Sequence, residues 1–415
     1  MRRRKRRLKR KFKIIFFIFL IIIGFIIFKP ENNKYMDKII KEKYEYEDKI
    51  INNTFEEIDK DVEKLIIDYL NVYFRSMKEL KVYDLTKFFS SNSYENAYLS
   101  QTALEILIDS RIKQLNDLKL DNVSFDIYYE KIENDEETIK VTVKENSHLN
   151  FNFIKDITSN IYNVINNFEI IKENNEYKIK SFSKEQGYFI MTEDLYSYEN
   201  ETNEEIKNEF DEIKNDYSLI FDEMLKEQEK LYNQYINNKE IEFKTCDNSY
   251  DREKALDYAL EYVLKRSDVD YGPYGGNCQN YASWMMNAGG IPMDIKGTYQ
   301  WKHYDSELNY ENIEEGRTPS WTGVSEFYDY AKNNSGFGLC SKIDANMYYA
   351  LAGDVVQVGY GNKFRHTAVV VGNIIKDENT VDLLLNSNTG DLEQFPISAY
   401  VYPEKRLIKI LGWNN

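Results

Sequence analysis

Cys278 opens the chemistry of this sequence. It follows a Gly-rich stretch, Tyr271-Gly-Pro-Tyr-Gly-Gly-Asn277, and leads a short amphipathic run that Gly289-Gly290 closes. A helix beginning at Cys278, with Asn277 as its N-cap, sets the sulfur among unpaired backbone N–H groups at the positive end of the dipole, which favours a thiolate. A thiolate nucleophile needs a base, and His366 heads the apolar run His366-Thr-Ala-Val-Val-Val-Gly372. On a further strand, Val381 to Asn388, alternation puts Asp382, Leu384, Asn386 and Asn388 on one face, so an Asn carbonyl there can fix the imidazole tautomer. A cysteine in a globular domain is equally a small buried hydrophobe, and the residues alone leave both roles open for Cys278. Cys246 and Cys340 lack a comparable setting and are expected as ordinary packed thiols. His303 sits in a Trp-flanked loop, and His148 is a lone histidine expected to be solvated in a polar turn. Scattered histidines and single cysteines give no metal-ligand spacing, and no Gly-rich loop matches a nucleotide fingerprint, so neither metal nor cofactor is expected.

The elements that would hold these residues begin near residue 245, where the composition changes. Of the 18 glycines only Gly24 and Gly187 precede residue 270, of the six prolines only Pro30 does, and all four tryptophans follow it. Turn-rich sequence of this kind is where catalytic residues are usually mounted. A helix from Asp251 to Leu264 carries Ala255, Tyr258, Ala259 and Tyr262 on one face, and Gly353 to Val358 pairs naturally with the His366 strand as a hairpin. Before residue 197 the pattern differs. Val62, Ile66, Tyr69, Leu70 and Tyr73 recur at helical spacing, as do Leu104, Leu107, Ile108 and Leu115, and alternating strands follow around Val123, Val141 and Phe168. That order predicts a small α+β domain of NTF2-like type. Ile206, Phe210, Ile213, Tyr217, Ile220 and Met224 form a heptad-like seam on a helix over Asn203 to Ile236, which packs within the chain, acts as a spacer or mediates self-association.

Charge narrows the function classes. Formal net charge is −16, but ten Lys and Arg residues lie between Arg2 and Lys13; without them 44 basic residues face 70 acidic ones, a net of −26. A body that acidic is a poor nucleic-acid binder. The basic cluster precedes an unbroken apolar run, Ile14 to Phe28, with no alanine near it to form a cleavage site. It reads as an uncleaved signal anchor with the N-terminus cytoplasmic and the body outside, a single-pass cell-membrane protein.

The ordered set Asp251-Arg-Glu-Lys-Ala-Leu-Asp-Tyr-Ala259, Asn277-Cys-Gln-Asn-Tyr-Ala-Ser283, Ala288-Gly-Gly-Ile-Pro-Met293, Ser320-Trp321, Gly353-Asp354 and His366 to Gly372 resembles the amidase domain of low-GC Gram-positive bacteria. That family is similar to papain-like, NlpC-type and CHAP cysteine peptidases and amidases that cut peptidoglycan. The resemblance spans about residues 250 to 412 and implies Cys278 as nucleophile, His366 as base and Asn388 as third polar residue, with Asn386 its alternative. Tyr271, Asn277 and Trp321 are implied near the oxyanion or substrate. Asn277, where an acidic residue is usual, and Trp284, where Gln is common, depart from the family pattern.

The expectation is therefore an α+β chain. A basic segment (1–13), a transmembrane anchor (14–28) and an accessory α+β domain (31–196) precede a long helix (197–244) and a papain-like domain (245–415). Its expected activity is thiol-dependent cleavage of amide bonds, with peptidoglycan stem peptides or another extracytoplasmic peptide as substrate. A degenerate wall- or protein-binding module and an acyl-transferring enzyme are the alternatives.

Overall fold

The structure is a computed structural model. It describes residues 49–50, 58–135, 137–197, 202–238, 242–265, 276–296, 299–305, 307–309 and 314–415. The apolar run 14–28 and Tyr271 lie outside the described residues.

Helices α1 (Lys60–Glu79) and α2 (Tyr94–Ile112) precede strands β2 (Leu120–Asn134), β3 (Ile139–Phe151), β4 (Ser159–Glu173) and β5 (Glu176–Lys184); β1 (Lys49–Ile50) runs beside β2. The 3.6-residue spacing in α1 puts Val62, Ile66, Tyr69, Leu70 and Tyr73 on one buried face, where Tyr69 meets Phe168 at 5.8 Å and Phe182 at 4.8 Å and Phe74 stacks on Phe125 at 4.5 Å. A buried ion pair, Lys184 Nζ to Glu145 Oε2 at 2.6 Å, lies in the same interior with Asn166 as a further donor.

Helix α3 (Gly187–Leu195) leads to α4 (Asn203–Asn237), which starts with a capping box between Thr202 and Glu205. Its seam residues Ile206, Phe210 and Tyr217 are buried within this chain, and Lys113 of the turn after α2 binds Ser218 and Asp222 on it. Farther along, Tyr235 packs on Tyr348 and Tyr349, and its hydroxyl accepts the Thr380 N–H at 3.1 Å.

The C-terminal region consists of β6 (Asn248–Ser249), α5 (Arg252–Tyr262), α6 (Cys278–Ala288), α7 (Pro319–Thr322), α8 (Val324–Asn333), β7 (Gly338–Ala345), β8 (Val355–Tyr360), β9 (Lys363–Lys376), β10 (Asn379–Ser387), β11 (Leu392–Pro396) and β12 (Glu404–Asn414). Asp354 pins α5 to these strands. It is fully buried, accepts from Arg252 Nη2 and the Ile410 N–H at 2.9 Å each and from the Leu351 N–H at 2.8 Å, and lies 3.4 Å from Lys409 Nζ. Gly353 before it has φ +87° with the Tyr250 ring 3.1 Å from where a Cβ would stand, so both the backbone and the space call for glycine.

All twelve described strands join one sheet, in the order β1-β2-β3-β4-β11-β10-β9-β8-β12-β6, with β5 beside β4 and β7 beside β12; apart from β1–β2 every pairing is antiparallel. This corrects the expected fold class. A papain-like α+β domain behind a transmembrane anchor and a separate small domain is not what the described residues form: β4 of the first half pairs with β11 of the second, Leu392 opposite Ile161 and Glu393 opposite Asn160. No described helix is long and apolar enough to cross a membrane. The reason for the miss is physical. Periodicity reports which way a segment's side chains face, whereas strand partners far apart in sequence leave no local trace.

A second correction concerns the cysteines. Cys246 and Cys340, 94 residues apart, form a disulfide with Cα atoms 6.1 Å apart that ties the segment before β6 to β7. Cys278 is the free one among them.

Candidate active site

Helix α6 forms where expected, with Tyr281, Ala282, Met285 and Met286 buried and Gly289-Gly290 ending it. Asn277 does not cap it. Its side chain makes no bond to the helix's free N–H groups; it donates from Nδ2 to Asn388 Oδ1 at 2.7 Å and accepts from Asn280 Nδ2 at 3.0 Å, while its own N–H goes to Thr389 Oγ1 at 2.8 Å. Trp321 Nε1 donates to Asn280 at 2.8 Å, and Asn388 donates onward to the Tyr262 carbonyl at 2.9 Å. The relay Trp321–Asn280–Asn277–Asn388–Tyr262 thus fixes the start of α6 from the side.

Cys278 is 7% exposed. Backbone N–H groups of Thr367, Gln279 and Cys278 itself point at the sulfur, yet burial outweighs them and raises its pKa above the ordinary thiol value. The resting group is a thiol, which revises the expectation that the helix start alone would hold a thiolate. Contact with Thr367 brings the sulfur against β9 at the residue after His366. The packing is locked by Gln279, whose Oε1 accepts from Thr367 Oγ1 at 2.9 Å and whose Nε2 donates to Ser283 at 3.2 Å.

His366 lies on β9 with its ring stacked on Tyr400, centroids 6.1 Å apart. Burial lowers its pKa to about 4, so it is neutral at pH 7. Its Nε2 is 2.7 Å from Ser387 Oγ, and Ser387 in turn donates its hydroxyl to the Thr389 carbonyl at 3.0 Å. The hydrogen-bond network therefore assigns the proton to Nε2, leaving Nδ1 as the basic nitrogen. Tyr400, stacked on His366, also interacts electrostatically with Cys278.

Neither asparagine expected beside the imidazole bonds to it. Asn386 Oδ1 accepts from the Gln394 N–H at 2.8 Å, and Asn388 belongs to the relay above. The cause is register: Asn386 lies opposite Val369, three residues from His366 and so on the other face of β9, while Ser387 shares the face of Ala368 and His366; the bulge opposite Leu384–Leu385 has its extra residue, Val371, on β9. Ser387 takes that position, and no local sequence signal marks it. Trp321 is fully buried, 4.3 Å from Trp301 and 5.0 Å from Trp284 between ring centroids, and His303 packs on the same cluster 5.4 Å from Trp284. Among the described residues no group of three or more His, Cys, Asp or Glu is arranged to hold a metal ion.

The turn beyond Ser387 is strained. Thr389 and Asp391 have φ of 151° and 36°, values a non-glycine residue rarely takes, with Gly390 at 72° between them. β4 grips it: the Tyr162 N–H donates to the Asp391 carbonyl at 3.0 Å, Asn163 Nδ2 to Asp391 Oδ2 at 2.8 Å, and Ser159 Oγ to the Gln394 carbonyl at 2.8 Å.

Residues 249–411 match the protein family described as "Putative amidase domain". An uncharacterized protein of Bacillus subtilis (strain 168), YhbB, is 29% identical over 147 residues, which is 34% of this chain and 42% of that protein. A solved structure of a variant of Rv3472 from Mycobacterium tuberculosis, a protein of unknown function, covers 40% of this chain and 90% of its own at 9% identity with a TM-score of 0.21, too low to carry an argument. The C-terminal region is thus similar to an amidase domain, and amide-bond hydrolysis is the class of activity that similarity supports.

Proposed function

We propose that the C-terminal region hydrolyses an amide bond with Cys278 as nucleophile and His366 as general base and acid. The observation that carries this reading is the seating of the Cys278 sulfur against the N–H of Thr367, the residue after His366, whose Nε2 is held by Ser387. In the reaction the sulfur attacks the carbonyl carbon as its proton passes to Nδ1 of His366. The N–H groups at the start of α6 receive the developing oxyanion, and the imidazolium returns the proton to the leaving amine. Water then attacks the thioester, deprotonated by the same nitrogen, and the free acid leaves. A disulfide persists in oxidising compartments, so the Cys246–Cys340 bond supports a body working outside the cytoplasm. There the substrate class we favour is the peptide amides of peptidoglycan stems.

One observation favours a second reading, a non-catalytic binding module: a buried thiol with a raised pKa is also what a packing cysteine shows. Both are tested by incubating the purified protein with isolated peptidoglycan and counting new amines and carboxylates by mass spectrometry. The hydrolase reading expects stoichiometric amine and acid that Cys278→Ala abolishes. Equal product from Cys278→Ala sinks the mechanism, and no product from either protein on wall or on simple peptide amides supports the binding module.

A further inference from the structure

Ser387 fixes which nitrogen of His366 carries the proton, but one hydrogen bond at Nε2 leaves the ring free to rock about its Cβ–Cγ bond, a torsion with broad minima. Something has to bear on the face of the imidazole if Nδ1 is to stay in place. Tyr400 does so: its ring lies on that of His366 with centroids 6.1 Å apart and planes 26° from parallel, within the range of an offset stack.

Tyr400 has support of its own. Its N–H donates to the Ile397 carbonyl at 3.1 Å, which turns the chain just after β11. Phe395 meets its ring edge-on at 6.1 Å, and Tyr402 at 5.5 Å. Both neighbours are buried, and both pack on the first half of the chain. Phe395 stands edge-on to the fully buried Phe151 of β3 at 6.1 Å, and the Tyr402 hydroxyl lies 3.0 Å from where a Cβ on Gly187 of α3 would stand. A row of rings, Phe151–Phe395–Tyr400–His366, therefore crosses from one half of the molecule to the imidazole of the other. Close-packed interiors transmit a displacement because their side chains have little room to absorb it.

We propose that Tyr400 is a positioning residue that holds the His366 imidazole in its working orientation, and that Phe151 of the first half steadies Tyr400 through Phe395. The value of this hold for catalysis rests on the hydrolysis proposed above; the hold on the ring does not.

Two measurements on the full chain keep those claims apart. In long-range 1H–15N spectra of histidine-labelled protein, with three histidines to assign, His366 is expected as one neutral tautomer protonated at Nε2 in the wild type and in Tyr400→Phe, which keeps the ring. In Tyr400→Leu, or Tyr400→Met where the leucine variant does not fold, the ring leaves Ser387 part of the time and its two nitrogen shifts move towards each other. On peptide amides, kcat of Tyr400→Leu falls about tenfold to hundredfold with KM little changed, and Tyr400→Phe restores most of the loss. Phe151→Leu lowers kcat about threefold, whereas Phe168→Leu, which removes a ring from the same core but off the row, does not. Unchanged nitrogen shifts in Tyr400→Leu overturn the hold on the imidazole, whatever the turnover. Equal losses of kcat in Tyr400→Phe and Tyr400→Leu overturn the positioning role, since the hydroxyl then acts in the reaction itself. Equal losses in Phe151→Leu and Phe168→Leu overturn the link to the first half. Absence of turnover in the wild type sinks the hydrolysis, and the spectra then decide the hold on the ring by themselves.

Discussion

Two histidines sit on strands of the same sheet, one in each half of the molecule, and their neighbours differ. His148 on β3 is buried, with Nδ1 2.7 Å from Asn160 Oδ1 and Nε2 3.8 Å from the Asp126 carboxylate. Around His366 a hydroxyl and an aromatic ring take those places, and burial holds the ring neutral. A hydroxyl fixes an imidazole tautomer without adding charge. The first arrangement suits a structural tie between β3 and β4. The second suits a base that must accept a proton and give it back.

That contrast can be broken most severely by exchanging the two for alanine. His366→Ala is expected to lower amide hydrolysis by about 10³-fold, in the range of a lost general base, whereas His148→Ala leaves kcat within a few-fold and lowers Tm instead. Equal losses of kcat would erase the distinction. The two halves also differ in covalent support, because the disulfide staples only the second. Reducing it, or Cys246→Ser, should cost about 2–5 kcal/mol in urea unfolding, and an unchanged midpoint would show that the bond adds nothing to the folded state.

Ser387→Ala tests the tautomer assignment. About a tenfold to hundredfold loss of kcat is expected with KM little changed, as for other residues that orient a functional histidine, and Ser387→Thr should restore part of it. A loss confined to Tm would make Ser387 structural. The smallest effect is on the pH dependence of stability. His366 binds its proton near pH 4 when folded and near 6.5 when unfolded, so its contribution is full above pH 6.5 and is lost as pH falls towards 4. His366→Gln should therefore flatten the fall of Tm between pH 6.5 and 4, while Asp382, whose folded pKa is raised to about 6, acts in the opposite sense over the overlapping window. A slope unaltered by His366→Gln would refute the neutral, half-buried imidazole.

Much of the local structure is legible in the chain itself. The spacing of Val62 to Tyr73 marks α1, the seam from Ile206 marks α4, and the Gly-rich approach to Cys278 with the Gly-Gly stop marks α6. What escapes is what depends on distant partners. Ser387 replaces Asn386 and Asn388 beside the imidazole because the register of β10 on β9 sets Asn386 opposite Val369, on the face away from His366, and no local sequence signal fixes that register. Cys246 and Cys340 meet only because the segment before β6 and the strand β7 flank β12. His148 reads as solvated because its neighbours in sequence are polar, yet it lies opposite Ser124 on β2, inside a sheet.

The hold of β4 on the turn from Thr389 to Gln394 bears on where this protein can be cut. The stretch that matches the amidase family begins after the first half has ended, but its strand β11 finds one of its two neighbours in that first half. Severed there, a fragment spanning 249–411 would carry a bare strand edge, a template for aggregation. It would also lose the side chains that hold two non-glycine residues of unfavourable backbone, Thr389 and Asp391, beside Ser387. The stretch that sequence comparison recognises is smaller than the sheet it belongs to, and a preparation of the site that keeps β4 keeps these contacts.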